Sequence, residues 1–215
     1  MLLAAYLDST NLKADATEDE ISKLCMEALH YQMAAVCVLP YRISLVQRIL
    51  QDSGIRTATV IGFPLGNNMP GVKLLESRIA LQDGADELDM VINLGALKDK
   101  RYRFIEDEIE AVLRLQELKD MVLKVIIETA LLSREELINL TKLVSASGAH
   151  YIKTSTGMSS RGVSLDDIDL INQYKEPHLL IKASGGVRNR DFAQELVEHG
   201  VNRIGTSCAE KILAG

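Results

Sequence analysis

Cysteine is scarce in this chain, and its spacing excludes the two structural uses that cysteine most often has. The three cysteines, Cys25, Cys37 and Cys208, are widely separated in a chain of 215 residues. A disulfide framework needs more cysteines at closer intervals, and a metal site needs ligands that lie a few residues apart. We therefore expect reduced thiols, no structural metal and a cytoplasmic protein.

Long hydrophobic segments are also missing. No apolar run reaches the roughly 18 to 20 residues that a membrane-spanning helix needs. Residues 1–8 lack the basic start and long apolar region of a signal peptide. The net charge is −6, whereas proteins that bind nucleic acids usually carry a basic surface. We expect no membrane and no nucleic acid among the partners, although a local anion site is compatible with this charge.

No segment rich in proline, glycine or serine divides the chain into separate parts. With 47% hydrophobic and 25% charged residues, the composition is that of an ordinary globular protein. A chain of this length can enclose one large core. We therefore expect a single domain over residues 1–215.

Short apolar segments alternate with longer amphipathic ones along the whole chain. Segments of four to six residues rich in Val, Ile and Leu predict strands, and segments with apolar residues every three or four positions predict helices. Thr17, Ser133 and Ser164 each precede acidic residues by two or three positions, which is typical of helix N-caps. The predicted strands are 4–7, 34–38, 57–61, 87–92, 122–127, 151–154, 179–183 and 202–205.

Eight predicted strand–helix units favour a (β/α)8 barrel. Strict alternation of strands and helices implies a parallel sheet. Eight units in 215 residues leave about 27 residues for each, close to the shortest βαβ crossover. We expect an α/β fold, a single (β/α)8 TIM barrel, rather than an open doubly wound sheet. Only about ten residues follow Gly205, which is enough for a closing helix of two or three turns.

Two lysines, Lys153 and Lys182, stand at the ends of apolar predicted strands, just before small and hydroxyl-bearing residues. Burial of an ammonium group costs several kcal/mol unless the group is paired or loses its proton. Two buried lysines on successive strands suggest paired amines, of which one depresses the pKa of the other. A lysine with a depressed pKa is the nucleophile that Schiff-base chemistry needs.

The alternation of side chains along the strands places further charged groups beside these lysines. Residues two apart on a strand share a face. One assignment of the faces puts Asp89, Lys124, Lys153 and Lys182 inside the barrel on four consecutive strands. A lysine with an aspartate in a barrel is also compatible with a purely structural ion pair. Four ionisable residues on one face near the strand ends favour an active site.

Small residues follow the seventh and eighth predicted strands. The segments are Ser184, Gly185 and Gly186, and then Gly205, Thr206 and Ser207. The loops after strands seven and eight commonly bind phosphate in this fold. Glycine lets backbone N–H groups approach phosphate oxygens, and hydroxyl groups add donors. The sequence thus predicts a phosphate site, to which Arg188 either adds charge or contributes nothing.

These segments resemble the deoxyribose-phosphate aldolase family, whose members are class I, Schiff-base-forming aldolases. The resemblance covers essentially the whole chain in order. The most specific strings are Lys-Thr-Ser-Thr-Gly after 152 and Lys-Ala-Ser-Gly-Gly-Val-Arg after 181, and further matches are 8–13, 36–38, 60–66, 84–93, 123–129 and 203–207.

The resemblance implies a role for each matching residue. Lys153 is expected to form the imine, Lys182 to lower its pKa, and Asp89 to transfer protons together with water. Lys124 is expected to position that aspartate, and Thr156 supports the site. Phosphate binding is expected at Ser184, Gly185, Gly186, Gly205 and Ser207. The implied reaction is the reversible cleavage of 2-deoxy-D-ribose 5-phosphate to D-glyceraldehyde 3-phosphate and acetaldehyde, in deoxyribonucleoside catabolism.

The resemblance implies no cofactor, a small sugar phosphate as the substrate, and a homo-oligomer, either dimer or tetramer. The chain departs from the family at Ser9, where histidine is frequent, at Leu39, where asparagine is common, and at Cys208, where a second serine is usual. These departures affect the expected shape of the entrance and one phosphate hydroxyl. Two alternatives remain: another lysine-dependent barrel aldolase acting on a larger ketose phosphate, and a sugar-phosphate-binding barrel, either an isomerase or non-catalytic, whose lysines only neutralise phosphate.

Overall fold

Eight parallel strands close into a barrel in a computed structural model that describes residues 3–214. Each strand pairs with the next along the chain, and the first pairs with the last, so the predicted (β/α)8 barrel is confirmed. The predicted domain, 1–215, includes residues 1, 2 and 215, which lie outside the described residues. The strands are β1 (Leu7–Asn11), β2 (Ala35–Val38), β3 (Arg56–Ile61), β4 (Glu87–Val91), β5 (Val122–Ile126), β6 (Tyr151–Lys153), β7 (Leu180–Ser184) and β8 (Arg203–Thr206).

Helices surround the barrel, and several begin where the sequence predicts. Thr17, Ser133 and Ser164 each form a capping box with a carboxylate three residues later, which satisfies backbone N–H groups of the first turn. No helix within residues 3–214 is long and apolar enough to span a membrane. The helices are α1 (Glu18–Tyr31), α2 (Ile43–Leu50), α3 (Pro70–Gln82), α4 (Leu94–Lys98), α5 (Tyr102–Leu113), α6 (Arg134–Ala146), α7 (Leu165–Tyr174), α8 (Arg190–Glu198) and α9 (Ala209–Ala214).

The first strand is the main error of the sequence prediction. Segment 4–7 was expected to form it, but Leu3–Tyr6 is a short 3-10 helix and the strand is Leu7–Asn11. The register pairs Asp8 with Ala35 of β2 and with Gly205 of β8. The true strand is mostly polar because its inward side chains belong to the site rather than to an apolar core. Its sequence therefore lacks the apolar pattern that predicts strands.

The closing helix is also shorter than expected. Two or three turns were predicted after Gly205, but α9 has six residues, which is less than two turns. Ala209 and Ile212 are its buried residues, and this short helix still packs against β1.

The main apolar core lies between the outer faces of the strands and the helices, and a smaller one lies inside the barrel. Leu88, Met90 and Ile152 belong to the outer core. The inner cluster consists of Ala35, Cys37, Ala58 and Val60 from β2 and β3. The inner apolar cluster therefore comes from β2 and β3, whereas β1 and the strands from β4 to β8 supply charged side chains.

Candidate active site

Seven charged side chains meet inside the barrel, and they come from β1 and from β4 to β8. Six of them are at most 3% exposed, and Arg203 is the partly exposed exception. The four residues predicted to lie inside are all found there. The full set is Asp8, Glu87, Asp89, Lys124, Lys153, Lys182 and Arg203.

Asp89 is the centre of this cluster because three lysines bind its carboxylate. Lys124 Nζ lies 2.8 Å from Oδ1, while Lys153 Nζ and Lys182 Nζ each lie 2.7 Å from Oδ2. The strand register explains the meeting, since Asp89 pairs with Lys124 across β4 and β5, and Lys153 pairs with Lys182 across β6 and β7.

A second layer of ion pairs lies beneath Asp89, towards the amino ends of the strands. Arg203 bridges two carboxylates: its Nε lies 2.7 Å from Asp8 Oδ1, and its Nη2 lies 3.0 Å from Glu87 Oε2. Asp8 in turn binds Lys182, and Glu87 binds Lys124 at 2.5 Å. Each buried charge thus has a partner of opposite sign, which is the condition under which such burial is tolerated.

The two neighbouring lysines, Lys153 and Lys182, differ in their electrostatic environment. Burial, followed by the charge on Lys182, holds the pKa of Lys153 below its ordinary value of 10.5, although Asp89 opposes this. Burial also disfavours the charged form of Lys182, but Asp8 and Asp89 outweigh it and raise its pKa. The predicted assignment, in which Lys153 is the nucleophile and Lys182 lowers its pKa, stays a prediction with which these directions are compatible.

Asp89 is held as a carboxylate. Burial favours its protonated form, but the charges of Lys124, Lys153 and Lys182 outweigh burial, so its pKa lies well below the usual value of 3.8. Lys124 behaves like Lys182: burial opposes its charge, and Asp89 and Glu87 together raise its pKa. The cluster therefore keeps Lys124 and Lys182 protonated and leaves Lys153 as the lysine that most readily loses its proton.

A cavity of about 370 Å³ opens at the carboxyl end of the barrel, where active sites of this fold lie. Of the seven interior charged residues, Lys153 is the one that lines the cavity. Asp89 and Lys182 lie beneath it and are fully buried. A carbonyl compound in the cavity would therefore meet the amine of Lys153 before any other interior charge.

The predicted phosphate residues line the same cavity. Ser184, Gly185, Gly186, Gly205 and Ser207 are all part of its wall. Gly185 and Gly186 have φ values of +82° and +81°, which other residues adopt only at a cost. The backbone N–H groups of Gly185, Gly186 and Ser207 donate no backbone hydrogen bond within residues 3–214. These three backbone N–H groups are therefore available as donors to a bound anion.

Individual members of this set differ in what they can offer. The Ser184 hydroxyl donates to the Ser155 carbonyl at 2.6 Å, so its hydrogen is already used. Ser207 is exposed, and its hydroxyl makes only a weak contact with Cys208 Sγ at 3.9 Å within residues 3–214. Gly205 has a second role, because a Cβ there would lie 3.2 Å from Lys182 Cε.

Two cations stand at the mouth of the cavity. Arg188, for which the sequence allows either a charge near the phosphate or no role, lines the cavity wall next to Gly185 and Gly186. Lys13, which follows β1, lines it from another side and is exposed. Sequence reasoning assigned no function to Lys13. Two positive charges next to free backbone donors favour a dianionic group at this position.

Thr156 lines the cavity and is fixed by a buried carboxylate. Its backbone N–H, at 3.2 Å, and its hydroxyl both donate to Glu128 Oε2, and its hydroxyl accepts from the Met158 N–H. Glu128 has a left-handed backbone with φ of +53°, a conformation that costs energy for this residue type. Its Oε1 atom is buried and makes no hydrogen bond within residues 3–214.

Sequence reasoning missed Asp8, Glu87, Arg203 and Glu128. Asp8 was placed outside the first strand, so the alternation of faces could not be applied to it. Alternation of faces put Glu87 on the inward face together with Asp89, but no role was assigned to it. Arg203 could be assigned to the charge cluster only with the knowledge that β8 pairs with β1. Alternation also put Glu128 on the face of Lys124, but Glu128 lies beyond the end of β5 and alternation does not show that it binds Thr156.

The three departures from the resembled family lie outside the cavity wall. Ser9 is buried, Leu39 packs against the inner apolar cluster, and Cys208 is half-buried behind Ser207. None of the three lines the cavity among residues 3–214. Cys37 is fully buried in the inner cluster, and burial raises the pKa of its thiol, as expected for a core cysteine.

Comparison with known proteins identifies relatives over nearly the whole chain. The family model described as DeoC/LacD family aldolase matches residues 2–212. A deoxyribose-phosphate aldolase from Thermococcus kodakarensis is 45% identical over 215 residues, which is 99% of this chain and 96% of the relative.

Solved structures of aldolases also superpose on nearly the whole chain. An aldolase designated QR15 superposes with a TM-score of 0.93 at 37% identity, covering 99% of this chain and 94% of that one. The tetrameric deoxyribose phosphate aldolase from Aeropyrum pernix superposes with a TM-score of 0.92 at 32% identity, covering 99% and 89%.

Proposed function

The chain belongs to the DeoC/LacD family of aldolases, and from this premise we propose that it cleaves 2-deoxy-D-ribose 5-phosphate reversibly through a Schiff base on Lys153. The products are D-glyceraldehyde 3-phosphate and acetaldehyde, and we place the reaction in deoxyribonucleoside catabolism, in the cytoplasm. The names of its relatives support this substrate. The arrangement of charges in the barrel supports the mechanism.

The observation that carries the proposal is the position of Lys153. It is the one interior lysine that lines the cavity, and burial together with the charge of Lys182 lowers its pKa. A nucleophilic lysine must be neutral and reachable by the substrate. Lys182 and Lys124 meet neither condition, because both are fully buried and carboxylates raise the pKa of each.

The first chemical step joins the substrate to the enzyme. The neutral amine of Lys153 attacks C1 of the open-chain aldehyde. The adduct takes up one proton and loses water, which leaves a protonated imine. The positive imine nitrogen then draws electrons from the neighbouring carbon atoms, as Schiff-base catalysis requires.

The second step breaks the bond between C2 and C3. A base removes the proton of the C3 hydroxyl group, C3 becomes the aldehyde of glyceraldehyde 3-phosphate, and the bonding electrons form an enamine on Lys153. We propose that Asp89, acting with water, relays this proton. Because three lysines lower its pKa, Asp89 holds the proton only transiently. Protonation of the enamine at C2 and hydrolysis then release acetaldehyde and restore the amine.

The phosphate group is proposed to bind at the glycine loops. Backbone N–H groups of Gly185, Gly186 and Ser207 would donate to it, together with the exposed hydroxyl of Ser207. Lys13 and Arg188 at the cavity mouth add positive charge. Ser184 shapes the loop through its bond to the Ser155 carbonyl. Thr156, which Glu128 holds in place, lines the cavity together with Lys153.

We also propose that the protein is a homo-oligomer. Helix α3 and the segment before it expose an apolar surface that no other part of residues 3–214 covers. The relative from Aeropyrum pernix is described as a tetramer. Leu75→Glu should lower the molar mass measured by light scattering, and an unchanged mass would exclude this surface. The exposed residues are Leu65, Met69, Val72, Leu75 and Ile79, and Tyr41, which precedes α2, lies beside them.

Borohydride trapping tests the mechanism. The protein is incubated with acetaldehyde and reduced, and the modified peptide is located by mass spectrometry. We expect one ethyl adduct, on Lys153, and none in Lys153→Ala. The matched control is Lys13→Ala, which removes an exposed lysine from the same cavity and should keep the adduct. An adduct on Lys182 or Lys124 would reverse the assignment, and the absence of any adduct would exclude an imine mechanism.

A further inference from the structure

The interior charges form a ladder that begins far from the cavity. Arg203 holds two carboxylates, Asp8 and Glu87. Asp8 binds Lys182, and Glu87 binds Lys124. These two lysines bind Asp89, which also binds Lys153. The sign of the charge alternates at every step from Arg203 to Lys153.

The ladder is electrically balanced in one protonation state. It contains four cationic residues and three carboxylates, so its charge is zero when one cation is neutral. Arginine does not lose its proton in proteins. Lys124 and Lys182 each bind two carboxylates within 2.8 Å. Lys153 binds one, and it shares that oxygen with Lys182. Lys153 is therefore the residue that balances the ladder by losing its proton.

Resting on the proposed function of Lys153, we propose that Arg203 and Glu87 are positioning residues that set the charge state of the nucleophile, although neither lines the cavity. Arg203 acts through Asp8 and Lys182, and Glu87 acts through Lys124. Both effects reach Lys153 through Asp89.

Other titratable or charged groups face the barrel interior or the cavity and could also affect the ionisation of Lys153. Tyr151 lies on β6 beside the ladder, and Cys37 lies on β2, where burial raises the pKa of its thiol and keeps it neutral. Lys13 and Arg188 stand at the cavity mouth. The variants below leave these four residues unchanged, so shifts between variants report on the ladder itself.

The signs of the expected shifts follow from charge. Without the positive charge of Arg203, the net charge of the ladder is zero when Lys153 is protonated. Lys153 should therefore keep its proton up to a higher pH. Removing the negative charge of Glu87 should make Lys153 lose its proton at a lower pH. Arg203 stands two strands from Lys153, or about 10 Å, and a unit charge at that distance shifts a pKa by about one unit in a partly dry interior.

The experiment measures the ionisation of Lys153 directly. Trace acetylation with acetic anhydride is followed against pH, and the modified peptide is quantified by mass spectrometry. The variants are Arg203→Met, Glu87→Gln, the double variant Glu87→Gln with Arg203→Met, and Arg203→Lys. We expect the midpoint to rise by about one pH unit in Arg203→Met, to fall in Glu87→Gln, and to stay near the parent value in the other two.

A matched control lies outside the barrel interior. Glu108 forms a buried ion pair with Lys73 at 2.9 Å, so Glu108→Gln also breaks a buried charge pair. It should lower the melting temperature and leave the midpoint of Lys153 unchanged. If Arg203→Met does not fold, the fall in Glu87→Gln and its reversal in the double variant decide the question.

Equal midpoints in all folded variants would overturn the proposal, and so would shifts of the same sign in Arg203→Met and Glu87→Gln. Because acetylation needs no catalysis, this outcome is distinct from failure of the proposed function. A parent protein that gives no borohydride adduct on Lys153 would refute the Schiff base while the ladder is still measured.

Discussion

Replacement of Lys182 by methionine removes the like charge closest to the proposed nucleophile. Lys153 Nζ and Lys182 Nζ each lie 2.7 Å from the same oxygen of Asp89, so they are at most about 5.4 Å apart, twice that length. Two unit charges at that distance repel by about 3 kcal/mol at an effective dielectric constant of about 20. This corresponds to about two pKa units.

Lys182→Met should therefore raise the pKa of Lys153 by about two units. The neutral fraction at pH 7 falls about 100-fold, and kcat/KM should fall with it and recover at a pH about two units higher. The assay is the pH profile of kcat/KM for the phosphorylated substrate. Lys73→Met is the matched control, because Lys73 is equally buried and pairs with Glu108 outside the interior.

Two results would refute this reasoning. An unchanged rising limb in Lys182→Met would mean that Lys182 does not control the charge of Lys153. A loss of activity that alkaline pH does not restore would mean that Lys182 transfers a proton itself. In Lys73→Met we expect a lower melting temperature and a parental pH profile, which separates loss of charge control from loss of stability.

Three further predictions concern residues around this centre. Glu128→Ala should lower kcat/KM about 10- to 100-fold, the value of a hydrogen bond to a charged group, whereas Glu128→Gln keeps an acceptor for the loop after β6 and should retain most activity. Ser207→Ala should raise KM for the phosphorylated substrate and spare free deoxyribose, and Cys208→Ser should change neither, because Cys208 does not line the cavity. The folded pKa values of Asp8 and Asp89 are depressed, so their stabilisation is present above the unfolded pKa of about 3.9 and is lost as pH falls below it. Denaturant unfolding from pH 6 to pH 2 should show this decline, and Asp89→Asn should flatten it.

Each of these has an outcome that would contradict it. Equal losses in both Glu128 variants would point to packing rather than hydrogen bonding. Equal effects of Ser207→Ala on phosphorylated and free sugar would remove that hydroxyl from the phosphate site. An acid decline of the same slope in Asp89→Asn would assign the pH dependence to other carboxylates.

The barrel could be predicted because its outer face obeys simple rules. Strands such as β4 and β7 combine apolar outward residues with short length, and Ser133 and Ser164 mark helix starts through capping boxes. Lys153 and Lys182 could be identified because a charged lysine side chain is unexpected in a short apolar strand. These signals are local, so they survive without knowledge of the fold.

The rest of the site depends on contacts between distant parts of the chain. Asp8 lies 174 residues from Lys182 and 195 from Arg203, and its strand is too polar to be recognised by its own pattern. Glu87 becomes meaningful only when the closed barrel brings Arg203 across from it. The sequence shows which residues are unusual, whereas the partners that neutralise them follow from strand register.

The polarity of β1 has a physical reason that also explains the cost of this interior. A buried ion pair is often less stabilising than apolar residues of the same volume, so seven charges in a barrel are a poor way to gain stability. Each one has a partner, and in the proposed ladder the excess of one cation makes Lys153 the group that loses its proton. The same strand that escaped prediction, through Asp8, keeps Lys182 charged. The low hydrophobicity of β1 and the proposed reactivity of Lys153 thus have one common basis in the arrangement of charge.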